Sequence, residues 1–204
     1  MGRRLGRISG AFGLVMASAA GATALAQPAV QMSPGASQAF RPTPDGKAQH
    51  IQSGMLCVRG SPQFRLAGLV AFPDAPVGDD VACDYATTAG KTTLYATRVK
   101  GRSLEQLAPT VIGSLRSVFP DARPTDPAPT MRKPGLSASV AGSYLVTFNG
   151  KLSVSSTWLA KEGDWLLKVR ATYPADARKE PELLGATLLL TAQQSVHDAA
   201  SAAP

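Results

Sequence analysis

The sequence predicts an α+β fold: an antiparallel β-sheet with a mid-chain helix and a C-terminal helix packed on it. Two blocks, residues 63–100 and 138–174, alternate apolar and polar residues with a period of two, the signature of strands with one face buried. Two others, 103–119 and 181–196, repeat apolar residues every three or four positions, as an amphipathic helix does. The order is strands, helix, strands, helix, with no regular βαβ alternation, and the layer rule then favours an antiparallel sheet with segregated helices.

The first residues, "MGRRLGRISG AFGLVMASAA GATALAQPAV", fit a cleaved export signal. Arg3, Arg4 and Arg7 form a positive start, Ile8 to Ala22 a short apolar run, and Ala24-Leu25-Ala26 a small-x-small cleavage site before Gln27. The apolar run is too short and too rich in glycine to cross about 30 Å of hydrocarbon. Arg3-Arg4 raises the twin-arginine route, but the apolar pair that usually follows is missing from Leu5-Gly6-Arg7, which favours general secretion. The mature chain is therefore expected in the periplasm or secreted, with no membrane span. Loss of residues 1–26 removes three arginines and leaves 18 Lys+Arg against 14 Asp+Glu, a net charge of +4 that does not argue for nucleic acid.

Residues 27–47, "QPAVQMSPGA SQAFRPTPDG K", carry Pro, Gly, Ser and Gln without period and read as a flexible leader; 197–204 read as a flexible tail. A single domain is expected over 48–196. "QFRLAGLVAF" places Phe64, Leu66, Val70 and Phe72 on one parity, and "DVACDYAT" turns Val81, Cys83 and Tyr85 to one side. "KTTLYATRVK" supplies the third strand of a meander, its Thr, Val and Tyr suiting a pleated surface. Ser103 and Gln106 have capping-box spacing ahead of Leu104, Leu107, Val111, Leu115, Val118 and Phe119. Pro109 must kink that helix or restart it. "DARPTDPAPTMRKPG" is a proline-rich loop with room for a short edge strand. Asn149-Gly150 marks a two-residue hairpin. "WLLKVRATY" puts Trp165, Leu167, Val169, Ala171 and Tyr173 on one parity, and Pro181 opens a leucine-rich closing helix.

Cys57 and Cys83 are the two cysteines of the chain. In an oxidising compartment an even count with no CxxC spacing reads as a disulfide. Closing a loop of that size stabilises by about 3.5 kcal/mol in the chain-entropy model.

Catalytic constellations are scarce. G-x-S-x-G and H-E-x-x-H are absent, and His50 and His197 stand 147 residues apart. "GKTT" at 90–93 lacks the earlier glycine of a phosphate loop. Asp74, Asp79, Asp80 and Asp84 do not match a calcium loop and read as solvated turn residues. No catalytic residue, metal ligand or cofactor site is assigned. One surface feature stands out: Lys168 and Arg170 share a strand face, as do Arg98 and Lys100. If the two strands are neighbours, the four cations form a basic, anion-binding stripe. The alternative is an ordinary polar sheet face, partly covered on the side of Leu166.

The strand order, the mid-chain helix, the Asn149-Gly150 hairpin, the "GDWLLKVRATYP" strand and the closing helix together resemble the Mog1/PsbP-type α/β/α sandwich over residues 55–196. The "DVACDY…TLYATRV" and "WLLKVRATYP" blocks also resemble small exported bacterial proteins of uncharacterised function. The sandwich resemblance implies an accessory or binding role and transfers no site residue. The chain is thus expected to be a non-catalytic exported binding domain for an envelope protein or an anionic ligand. Its alternatives are a small hydrolase using acids such as Glu105 or Asp164, and a carrier of an apolar ligand between sheet and helix.

Overall fold

The structure, a computed structural model, describes residues 29–61, 64–88 and 90–202. The expected export signal 1–26 and the expected cleavage point before Gln27 lie outside the described residues. In chain order the elements are β1 (Gln31–Met32), α1 (Ala36–Ala39), β2 (Phe40–Pro42), β3 (Ala48–His50), β4 (Leu56–Cys57), β5 (Gly60–Ser61), β6 (Phe64–Ala71), β7 (Asp80–Thr87) and β8 (Lys91–Arg98). There follow α2 (Leu104–Gly113), α3 (Leu115–Val118), β9 (Arg123–Thr125), β10 (Ser139–Phe148), β11 (Lys151–Glu162), β12 (Trp165–Pro174), a 3₁₀ turn (Ala175–Ala177) and α4 (Lys179–Ser201).

Two sheets form. The large one runs β1-β6-β7-β8-β12-β11-β10-β9, with β5 added on β6, and its described pairings are antiparallel except β1 with β6. The small one is β2-β3-β4. The α+β class is the one the sequence predicts, with α2 mid-chain and α4 at the C-terminal end.

Local signals act where they were expected. The Ser103 hydroxyl accepts from the Gln106 N–H at 3.4 Å, and the Gln106 side chain accepts from the Ser103 N–H at 2.9 Å, closing the capping box. Phe148 and Lys151 pair in register across a two-residue loop in which Asn149 has φ 51° and Gly150 φ 72°. Both positive angles are those of a type I′ turn, and its twist matches the twist of the strands it joins. The helix continues through Pro109 and breaks at Ser114, so the single run expected from the periodicity becomes α2 and α3.

The main core lies between one face of the large sheet and a layer made of α4 and the small sheet. Trp158, Trp165, Leu167, Val169, Ala171 and Tyr173 meet Ala186, Leu188, Leu189, Ala192 and Val196, while Met55 and Cys57 meet Val81, Cys83 and Leu94. On the opposite face a smaller cluster joins Leu107 of α2 to Leu159 and Leu166. Helices thus flank the sheet on both sides, but α2 packs on β10 and β11 and leaves the β6–β8 half of its face to other side chains.

Three expectations are corrected. The leader expected to be flexible over 27–47 forms β1, α1 and β2 from Gln31 onward, and Ala36, Ala39 and Phe40 are buried in the main core. The 197–204 tail is helical through Ser201, as part of α4. The single parity expected along 63–72 is broken by a β-bulge between Leu66 and Gly68. One extra residue there turns the following side chains over. Phe64, Leu66 and Leu69 are therefore the core residues of β6, while Phe72 stacks on Tyr95.

Candidate functional site

The predicted basic stripe is only half assembled. β8 and β12 are neighbours, as the stripe requires, but their register pairs Trp165 with Arg98, Lys168 with Tyr95 and Arg170 with Thr93. Directly opposed residues share a face. Arg98 therefore lies on the side of Trp165, with its guanidinium 4.7 Å from that ring and 3.1 Å from the Asp79 carboxylate. Lys100 lies beyond the end of β8, exposed in the following turn. Lys168 and Arg170 remain together on the opposite face.

That pair has an unusual environment. The Lys168 ammonium sits 3.8 Å from the centre of the Tyr95 ring, and the Arg170 guanidinium 5.8 Å from that of Phe119. Tyr95 stacks in turn on Phe72 at 6.1 Å. Burial is the main force lowering both cations' pKa values, and Lys168 is lowered further by Arg170 beside it. Among the described residues neither cation has a carboxylate within ion-pair distance, and Arg170 Nη2 is buried without a hydrogen-bond partner. The nearby acids are engaged elsewhere: Asp80 accepts from the Thr97 hydroxyl at 2.8 Å, and Asp84 from Thr93 at 2.7 Å with Lys91 at 3.6 Å. Burial raises the pKa of Asp80, and the Lys168 charge opposes that rise only in part. Such a surface can hold an anion: cation–π contacts retain a desolvated cation, but a negative group would satisfy it better.

Tyr95, Phe72 and Phe119 are the contributors that the search for charges missed. For Tyr95 the signal was present: in "TTLYATR" it shares parity with Thr93 and Thr97. For Phe72 the bulge hid it, and for Phe119 the packing of α3 decides.

The acids of the hydrolase alternative separate. Glu105 lines a groove with Ser103 and Lys161, whereas Asp164 lines a different cleft of about 510 Å³ that also takes in Glu162 and His197. Glu162 is 7% exposed, and its Oε1 accepts from the Ser137 N–H at 2.9 Å and the Gln193 amide at 3.1 Å. Those bonds tie β11 to α4 and to the loop before β10. His50 is buried in the core, its Nδ1 2.7 Å from the Ser53 hydroxyl and its ring 5.2 Å from Trp165. Among the described residues no group of three or more His, Cys, Asp or Glu is placed to hold a metal ion. No described helix is long and apolar enough to cross a membrane.

Cys57 and Cys83 are bonded, with their α-carbons 5.9 Å apart. The bridge joins β4 of the small sheet to β7 of the large one, and both residues are fully buried. It is structural and lies on the core side of the sheet, opposite the Lys168–Arg170 face. The sequence matches no protein-family model and no curated protein to a significant degree.

Proposed function

We propose that this chain is a non-catalytic, exported accessory domain that binds an anionic ligand through Lys168 and Arg170. The observation that carries the reading is that, among the described residues, two adjacent, partly buried cations have no ion-pair partner and Arg170 Nη2 has no hydrogen-bond partner. Charges removed from water are normally paired, because desolvation otherwise costs several kcal/mol. A carboxylate or phosphate on the ligand would supply the missing acceptors, with Tyr95 and Phe119 as walls. The disulfide and the N-terminal pattern support an oxidising destination, the periplasm or the exterior. The resemblance to the Mog1/PsbP-type sandwich, whose known members serve mainly as accessory or binding proteins, points to the same class of role.

The test is calorimetric titration of the purified chain with phosphate, citrate and polyglutamate at low and high salt. Saturable binding that weakens with salt, is lost in Lys168→Ala/Arg170→Ala and persists in Lys100→Ala supports the reading. Absence of binding to all three, or equal binding by the double variant, overturns it.

A further inference from the structure

A further cavity, on the side of the sheet opposite Lys168 and Arg170, has a different chemistry. It measures about 300 Å³ and opens between the first turns of α4 and the ends of β7, β8 and β12. Phe64, Tyr173, Pro181, Leu183 and Leu184 supply apolar wall. Phe64 is held rigid by stacking on Tyr85 at 4.4 Å, and Tyr173 by its hydroxyl, which donates to Glu182 and accepts from Ser156. The volume is at the lower end of that of small-molecule sites, and the walls are set before any ligand arrives.

The helix packs closely on the sheet except at this end. Leu188, Leu189, Ala192 and Val196 bury themselves on the sheet further along the helix. Leu183, one turn earlier, is 54% exposed at the rim. A leucine left half in water at the rim of an apolar cavity is a contact that a ligand would complete.

The polar part of the lining selects the ligand. Five threonines contribute neutral hydroxyls, and Glu180 is the acid at the cavity; no Lys, Arg or His is among its described lining residues. An anionic amphiphile would meet a carboxylate and no cation. A neutral or positively charged polar end would meet hydroxyl acceptors and one negative charge. We propose that this cavity binds a compact apolar molecule carrying an amine or another non-anionic polar end, with the apolar body against Phe64 and Tyr173 and the polar end toward Glu180. This site does not depend on the Lys168–Arg170 face, so either can fail alone.

The experiment uses the purified chain and N-phenyl-1-naphthylamine, a neutral arylamine whose fluorescence rises in apolar surroundings. Saturable one-to-one binding is expected, displaced by octylamine at about fivefold lower concentration than by octanoate. Glu180→Lys should reverse that order. Thr187→Trp, on an exposed position of α4 at the cavity, should weaken probe binding about tenfold or more while keeping the circular dichroism and melting of the parent. Thr88→Trp is the second blocking variant, should the first disturb the helix. Lys168→Ala/Arg170→Ala should bind the probe like the parent. No saturable binding, equal binding by both Trp variants, or preference for octanoate overturns the proposal.

Discussion

The Tyr173 hydroxyl donates to Glu182 Oε1 at 3.0 Å, tying the last strand of the sheet to the first turn of the closing helix. Arg178 Nε reaches the same carboxylate oxygen at 2.6 Å, and Ser156 Oγ lies 2.7 Å from the tyrosine hydroxyl. Ser143 Oγ lies 2.7 Å beyond Ser156 and accepts from the Ala128 N–H at 3.1 Å. A buried polar chain therefore crosses β12, β11 and β10 and ends in the proline-rich loop. Tyr173→Phe should cost about 1 to 3 kcal/mol, because it leaves Glu182 and Ser156 short of a partner in a buried setting. Burial, more than any other cause, raises the pKa of Tyr173. The folded state thus keeps the proton that the unfolded chain releases. This contribution is present below the ordinary tyrosine pKa of about 10 and is lost as pH rises above it. Chemical denaturation of parent and variant at pH 7 to 11 checks both points: the variant should be weaker at neutrality and fall less steeply in alkali.

His50 governs part of the acid limb. Burial lowers its pKa from 6.5 to about 4; the carbonyl of Gly78 opposes that shift, Arg98 adds to it and Asp79 opposes it. Between these values the unfolded chain binds a proton that the folded chain refuses, so stability falls as pH drops from 6.5 toward 4. The full effect is about 3 kcal/mol. His50→Leu should flatten this limb. A parent stability that does not change between pH 7 and 5 would show that the ring is accessible to protons in the native state.

Replacing Cys57 and Cys83 together by Ser should lower stability by about 2 to 4 kcal/mol. Anion titration below the melting point should be unchanged, since the bridge lies on the opposite side of the sheet from Lys168. Native, non-reduced protein should show no reaction with a thiol reagent, because Cys57 and Cys83 are the chain's two cysteines and they are bonded to each other.

Gly185 sits on α4 directly over a tryptophan. A β-carbon there would lie 2.6 Å from the Trp158 ring, closer than any atom can rest. Alanine gains about 1 kcal/mol in helix propensity but must displace α4 or a buried indole held by its bond to the Pro129 carbonyl. The clash outweighs the propensity, and Gly185→Ala should destabilise by about 1 to 2 kcal/mol. Thermal melting of the variant decides the sign.

Lys168 and Arg170 should behave as groups kept at the expense of stability. Lys168→Met/Arg170→Met removes two desolvated like charges and should raise stability by about 1 kcal/mol while abolishing anion binding. A double variant less stable than the parent would mark the pair as structural.

Much of this architecture is written in local pattern. Alternation groups Val81, Cys83 and Tyr85 on one side of their strand, and Trp165, Leu167, Val169, Ala171 and Tyr173 on one side of theirs, because a pleated strand turns successive side chains to opposite faces whatever lies beside it. The Ser103–Gln106 cap and the Asn149-Gly150 turn likewise depend on residues within a few positions of each other. The cysteine pair followed from an even count and the compartment the sequence predicts. Composition misled for residues 31–47: a segment poor in apolar residues folds because Ala36, Ala39 and Phe40 are buried against a core built by the rest of the chain.

What local pattern does not contain is register between distant strands. Parity placed Lys168 and Arg170 on one face of their strand and Arg98 with Lys100 on one face of theirs. It did not say which face of β8 would lie beside which face of β12, strands some 70 residues apart in the chain. Packing decided that. Trp165 and Leu167 are driven into the core under α4, Arg98 is carried to the same side by pairing with Trp165, and the stripe of four cations becomes a pair. The bulge at Leu66/Gly68 and the cavity beneath α4 have the same origin: each is settled by how separate elements fit together, after each element's own pattern has been satisfied.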